Sequence, residues 1–413
     1  MVLKNRNPNR YPILISGVVT SAIIALVLAS AIFYVVLPMD LSVGSQDDTV
    51  SIVNIPFIMV ATIAHKILGS TFADFLIDMF VNENEKFVLP DLKVRELIFD
   101  GVKLSDLYHT LASFGIADLP EELIDGAFAF YNQRNGTPSK EFKVKSGIKN
   151  PKDFGKIVSF DGNKELNWWT NASRPSDEQY CNRINGTDGS FFAPFVSKEE
   201  KLEVFSYELC RSIYGIFDHE ADFNGIPAYV FATPDRILNI SLSNPETDCF
   251  CTDPGHGLAN SCDAQGFMRM FSCKAGMPVV LSLPHFINGD EKFLKEVEGL
   301  HPDKNKHEMT LVVEPNSGVL LQVVKRIQIN TEFQRLPGIT PFSNITEAFI
   351  PVFWVEEIAN APEEDLSYIR HRLVIPLKII DILKPCVFGI IAVGLLSGII
   401  TVLFFKERHE PLL

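Results

Sequence analysis

The sequence predicts an α+β fold: a sheet-rich body with helices gathered at one end, carried between two membrane-spanning helices. Three observations predict it. A long charge-free apolar run lies near each end of the 413-residue chain, the C-terminal half of the interior alternates with strand period, and the first part has helical spacing.

The first element is charge-free from Tyr11 to Leu37, enough to cross a hydrocarbon layer of about 30 Å as a helix. Lys4, Arg6 and Arg10 precede it, and Asp40, Asp47 and Asp48 follow. Basic flanks stay on the cytosolic side, so residues 1–10 are expected in the cytosol and 38–384 outside it. Ala29-Ser30-Ala31 looks like a signal-cleavage site, but the apolar run is longer than a signal core, and an uncleaved anchor at 11–37 is expected. Ile55–Ala64 is too short to span and reads as core or as a surface dipping into lipid. Phe72–Phe80 and Lys93–Phe99 have helical spacing, separated by polar Asn82–Lys86 and by Pro90.

Strands follow. Ile226–Ala232, Val279–Leu283 and Ile350–Val355 are β-rich, and Met309–Val313, a turn at 314–318 and Val319–Asn330 read as a hairpin. In its second strand Val319, Leu321, Val323, Ile327 and Ile329 share one face. Gln322, Arg326, Gln328 and Asn330 share the other with Leu320 and Val324, the pattern of a half-buried strand. Pro385–Phe405 is the second charge-free run and the second expected span, which leaves 406–413 as a cytosolic tail. Small residues at Gly17, Ser21, Ala25 and Ala29, and the Gly394/Gly398 pair, allow close helix pairing within a chain or in a homo-oligomer.

Cys181, Cys210, Cys249, Cys251, Cys262 and Cys273 fall in one stretch, 181–273, and an even cluster in an oxidising compartment reads as three disulfides of open connectivity. Zinc is disfavoured, since only Cys249 and Cys251 are closely spaced. Asn135, Asn171, Asn185, Asn239 and Asn344 head glycosylation sequons, all between the two apolar runs.

The net charge of −14 argues against nucleic acid. No nucleophile elbow, P-loop, dinucleotide fingerprint or zinc-protease helix occurs, since His307-Glu308 lacks its second histidine. No enzyme, cofactor or metal site is expected. Thirty-two phenylalanines suit a core and also an apolar conduit, so the composition points toward binding or transport.

The blocks C-N-R-I-N-G-T-D-G-S-F-F-A-P-F at 181–195, L-C-R-S-I-Y-G-I-F at 209–217, G-I-P-A-Y-V-F at 225–231 and C-F-C at 249–251 come in order. They continue with P-V-V-L-S-L-P-H-F at 278–286, G-L-H-P-D-K-N-K-H at 299–307, V-E-P-N-S-G at 313–318 and K-R-I-Q-I-N at 325–330. From about Leu41 to Phe405 this succession resembles the class B scavenger receptor family. The resemblance implies an antiparallel β-barrel ectodomain with an apical helical cap, here 72–130, and an internal apolar tunnel leading toward the membrane. It implies the bridges Cys181–Cys249, Cys210–Cys273 and Cys251–Cys262. Lipids, lipoproteins or lipid-bearing debris are the implied ligands, with Phe72, Phe75, Leu76, Phe80, Leu97 and Phe99 as candidate ligand or protein-partner residues on the cap. The alternative is a lysosomal sorting or debris receptor that binds a protein through that cap.

The sequence departs from the family in two places. Members carry a longer segment between the first span and the block at 41–54, a segment expected to supply early barrel strands. The cap lysine pair of fatty-acid-carrying members is matched here by the mostly acidic Asn82-Glu-Asn-Glu-Lys86. The tail ends in Leu412-Leu413 behind Glu407, similar to the acidic dileucine sorting signal of lysosomal members. Plasma membrane and endosome–lysosome membrane are the expected locations, with both termini cytosolic.

Overall fold

The structure is a computed structural model. It describes residues 32–36, 42–43, 47–80, 87–103, 123–124, 127–132, 140–169, 180–241, 244, 247–251, 264–274 and 277–408.

The largest element is an antiparallel sheet whose pairing runs Leu202–Ser206, Arg211–Phe223, Ile226–Ala232, Thr310–Val313, Leu320–Phe333, Ala348–Asn360, Ile32–Val36 and Ser42–Val43. Val279–Ser282 joins from the far half of Leu320–Phe333, which is thus long enough to pair with three neighbours. Among the described residues the path is open and does not close into a barrel.

The hairpin reads close to its prediction. Thr310–Val313 and Leu320–Phe333 meet across a turn in which the Glu314 carboxylate accepts from Asn316 N (3.2 Å) and Ser317 N (2.7 Å). Gly318 closes the turn at φ +74°, and a Cβ there would lie 2.3 Å from the Phe192 carbonyl oxygen, so only glycine fits.

The burial of this strand departs from expectation. Gln328 and Asn330, on the side predicted to meet water, are fully buried. Val279–Ser282 and the Pro284–Phe286 turn cover them and satisfy their amides. Gln328 accepts from His285 N at 2.8 Å, while Asn330 donates to Val280 O and Ser282 Oγ at 3.0 Å each. A polar face is stable inside when every donor finds an acceptor.

Helix Ile55–Leu68 begins where the Asn54 side chain accepts from Phe57 N at 3.0 Å, with Pro56 in its first turn, where a lost N–H costs nothing. Ile55, Ile58, Ala61 and Ala64 are buried, so the short apolar run is core. Helix Ser70–Phe80 follows, and Asp74 accepts from Thr340 N (2.6 Å) and Thr340 Oγ1 (2.9 Å). Both helices therefore sit at the end of the sheet where Leu320–Phe333 finishes. Among its described residues, the expected helical region 72–130 is helical at its start and at Glu96–Asp100. Val88–Lys93, Val102–Lys103, Leu123–Ile124 and Ala127–Phe128 are strands.

At the opposite end, Glu363–Ile369, a wide turn at Arg370–Val374 and Ile375–Arg408 run on as one helix. Its segment Glu363–Leu403 is the only helix among the described residues long and apolar enough to cross a membrane. Leu366, Ile369 and Val374 pack against Ile226, Ala228, Val230 and Leu321 at the base of the sheet.

The predicted helix at 11–37 is overturned at its end: Ile32–Val36 is a strand paired with Ala348–Asn360, Ile32 opposite Ile358 and Val36 opposite Trp354. Ile-Phe-Tyr-Val-Val is entirely β-branched and aromatic, a composition that fits a pleated surface wherever a sheet edge is available. The rest of that expected span lies outside the described residues.

Candidate functional site

A cavity of about 1400 Å³ opens between the sheet and the first turns of the C-terminal helix. Its walls are mainly apolar: Phe205, Ile213 and Phe231 from the first strands, Leu311 and Val323 from the hairpin, and Tyr368 and Leu373 from the helix. Val319, Leu321 and Val323 from the apolar face of the hairpin's second strand line the cavity together with Leu320 and Val324 from the other face.

One charged group lines these walls in a structured way. Lys325 Nζ lies 3.7 Å from both Glu208 and Glu357, the latter directly opposite it across the strand pair. All three line the cavity. The Lys325 ammonium holds the Glu208 carboxyl down to about 2, with burial opposing and Ser206 assisting. Burial works against the charge on Lys325, but Glu208, Tyr131 and Glu357 outweigh it and keep its pKa above the usual lysine value. Both partners are thus charged at any physiological pH.

Behind the sheet, His285 and His307 stack face to face, ring centroids 4.3 Å apart and planes within 12°. Trp354 stands edge-on to both. His285 Nδ1 accepts from His301 N (3.1 Å) and His307 Nδ1 from Asp303 N (3.0 Å), which leaves the neutral rings with their protons on Nε2. Burial first, and then His285, push the His307 imidazole down to about 4.

Cys181 is bonded to Cys249 and Cys210 to Cys273, with Cα–Cα distances of 5.9 and 6.3 Å. Cys251 is buried and also disulfide-bonded, and Cys262 lies outside the described residues. Trp169 anchors the region: its Nε1 donates to Cys210 O at 2.7 Å and its ring meets Phe250 edge-on. Arg211, buried, stacks its guanidinium 3.8 Å from the same Phe250 ring, and burial lowers its pKa to about 10.

Of the sequons, Asn185 and Asn344 are exposed, Asn239 is half-buried, and Asn135 and Asn171 lie outside the described residues. Phe72 and Phe75 are exposed at 50 and 54 %, on one face of helix Ser70–Phe80. Leu76 and Leu97 are corrected: both are packed in the main core, where the other face of the helix points inward, and Phe99 is half-buried against it. Phe80 ends the helix, and Leu412 and Leu413 lie outside the described residues.

Sequence reasoning missed the Lys325 group and the histidine stack. Glu357 and Glu208 are distant in sequence from Lys325, and no local motif marks either. His285 and His307 fall in turn-rich segments beside Pro or Lys, where nothing local separates a surface histidine from a satisfied buried one.

A family model described as the CD36 family matches residues 33–404. The chain is 34% identical to lysosome membrane protein 2 of Rattus norvegicus over 273 residues, 66% of this chain and 53% of that protein. It is 30% identical to lysosome membrane protein 2 of Mus musculus over 362 residues, 87% of this chain and 69% of that one. With sensory neuron membrane protein 1 of Apis mellifera it shares 31% over 328 residues, 77% of this chain and 59% of that protein. The chain thus spans between about half and two-thirds of the length of these relatives.

Proposed function

The chain belongs to the CD36 family, and from that premise we propose that it is a membrane-anchored receptor that takes hydrophobic ligands into its sheet-lined cavity and delivers them toward the bilayer. The observation that carries this reading is the continuity of the cavity with the C-terminal helix: Tyr368, Ile369 and Leu373 line the cavity, and the same helix runs on into its exposed apolar stretch. A lipid leaving water gains about 0.8 kcal/mol per buried methylene, so an apolar conduit based on the membrane moves it with no bond made or broken.

The family's barrel and tunnel, with two spans and both termini cytosolic, complete the proposal. Ile32 pairs with Ile358 near the base of the sheet, which supports a chain rising from the bilayer where the C-terminal helix descends into it. Residues 11–31, at about 1.5 Å per residue, would reach about 31 Å, enough for a span. The plasma membrane or the endosome–lysosome membrane is the proposed location.

The test is lipid extraction from the purified full chain followed by mass spectrometry. Sterols, phospholipids or fatty acids are expected at near-stoichiometric levels and should fall when Val323→Trp fills the cavity. A parent chain that carries no lipid would sink the reading.

A second reading, a protein partner bound at the cap, is favoured by the exposed stacked rings of Phe72 and Phe75, 6.4 Å apart. Phe72→Ser with Phe75→Ser should then abolish capture of a candidate protein at unchanged lipid content.

A further inference from the structure

The loops 147–156 and 191–200 pack on each other at one end of the sheet. Phe154 stacks on Phe191 with centroids 4.9 Å apart, and Lys152 Nζ donates to Phe195 O at 2.7 Å. Phe191 bridges to Val319, while Phe195 N and Val196 N donate to the carbonyls of Asn316 and Pro315. Phe195 therefore sits on the tip of the 314–318 turn.

Register shows which end this is. Val313 is opposite Tyr229, so the 314–318 tip and the Phe223–Ile226 turn extend the sheet in the same direction. A Cβ placed on Gly225 in that turn would lie 3.8 Å from Arg370 Cδ, so the turn sits beside the start of the C-terminal helix. Arg370 lies five residues before Ile375, from which exposed apolar side chains continue down the helix, past Lys378, Asp381 and Lys384, into its charge-free run from Pro385. Phe195 is thus at the level where that helix leaves the folded body.

The side chains at this level suit a lipid surface. Phe195 is 69 % exposed and Ile148 82 %, both large apolar groups with nothing among the described residues covering them. Glu141–Lys156 carries Lys143, Lys145, Lys149, Lys152 and Lys156 against only Glu141 and Asp153, a basic segment in a chain of net charge −14. Asp153 pairs with Lys145 and Lys156, and Glu200 with Lys152, while Lys143 and Lys149 have no acidic partner within reach among the described residues. Exposed aromatic and aliphatic groups ringed by lysine are the composition that seats at a headgroup–acyl boundary.

We propose that this face is a second membrane contact: Phe195 and Ile148 rest in the outer leaflet of the bilayer that the chain's own C-terminal helix enters, with Lys149 over lipid phosphates. The contact holds the body upright at its base and fixes the cavity against the lipid surface. It rests on the anchoring of the helix and not on what the cavity carries.

The experiment places tryptophan at the contact by Phe195→Trp, and separately by Ile148→Trp, in the full chain reconstituted into nanodiscs. The discs contain plain phosphatidylcholine or phosphatidylcholine brominated near the top of its acyl chains. The emission gained over the parent is expected to fall by about half in brominated discs for both variants, and to stay unchanged for Phe72→Trp at the cap. Equal, weak quenching at all three positions overturns the proposal. Failure of the parent chain to co-elute with discs overturns the anchor as well, which separates the two. Adding phosphatidylserine should deepen the quenching of Phe195→Trp and should not do so when Lys149→Glu is added.

Discussion

His285 and His307 each use Nδ1 to accept a backbone N–H, so neither ring can take a second proton without releasing its bond to the 301–303 loop. The folded state holds His307 near 4 while the unfolded chain holds it near 6.5, so the unfolded state binds more protons at mildly acid pH. The stability this neutral ring contributes is complete above about 6.5 and is lost as the pH falls toward 4. Between pH 7 and about 5 the expected loss is roughly 2 kcal/mol. Urea unfolding across that range should show it. His307→Asn, which keeps an acceptor near Nδ1 but does not titrate, should flatten the slope. Glu208 behaves oppositely in range: its contribution is full above its ordinary carboxylate pKa and fades only toward 2, so the Lys325 pair survives where the histidine stack does not. Gln328 and Asn330 give a second test. Asn330→Leu removes the side-chain donor to Val280 O and the acceptor that Gln328 Nε2 uses at 2.8 Å in a dry site, and should cost on the order of 1–3 kcal/mol, read as a lower melting temperature.

At the scale of elements, the disulfide region is held by chemistry that the rest of the sheet does not need. Cys181–Cys249 and Cys210–Cys273 close loops of 68 and 63 residues, long enough for each bridge to remove about 4 kcal/mol of unfolded-chain entropy. Cys210→Ser with Cys273→Ser should therefore lower stability by roughly 2–5 kcal/mol and reduce recovery of folded protein from the secretory pathway. The two ends of the sheet are distinguished by their helices. At the end where Leu320–Phe333 finishes, Asp74 ties helix Ser70–Phe80 to Thr340, and Asp74→Ala should loosen that docking by about 1 kcal/mol, visible as faster amide exchange at 339–342. At the base, Leu366, Ile369 and Val374 clamp the C-terminal helix to the sheet before it turns wholly apolar.

For the whole molecule, the helices at the two ends of the sheet make it directional, with helix Ser70–Phe80 at one pole and the apolar helix at the other. The proposed topology predicts that protease added to sealed vesicles, cytosolic face outward, leaves the interior from Asp40 to Lys384 intact and trims only the termini. Digestion of the interior would reverse the topology and with it the assignment of the cavity to the outer side.

The sequence by itself determined what depends on neighbours along the chain: the C-terminal apolar run, the hairpin with its Gly318 turn, helix Phe72–Phe80 and the succession of blocks that carries the family resemblance. Local pattern is enough there, because hydrophobic period, turn residues and absence of charge act over a few positions. Only the tertiary structure decided the rest. Ile32–Val36 became strand because a sheet edge was there to pair with it. Leu76 and Leu97 became core because other elements covered them. Gln328 and Asn330 were buried because Ser282 and His285 arrived with matching partners, and Lys325 gained its charge environment from Glu208 and Glu357. Each of these outcomes requires a group distant in sequence, and spacing along one strand carries no information about which group will stand across from it.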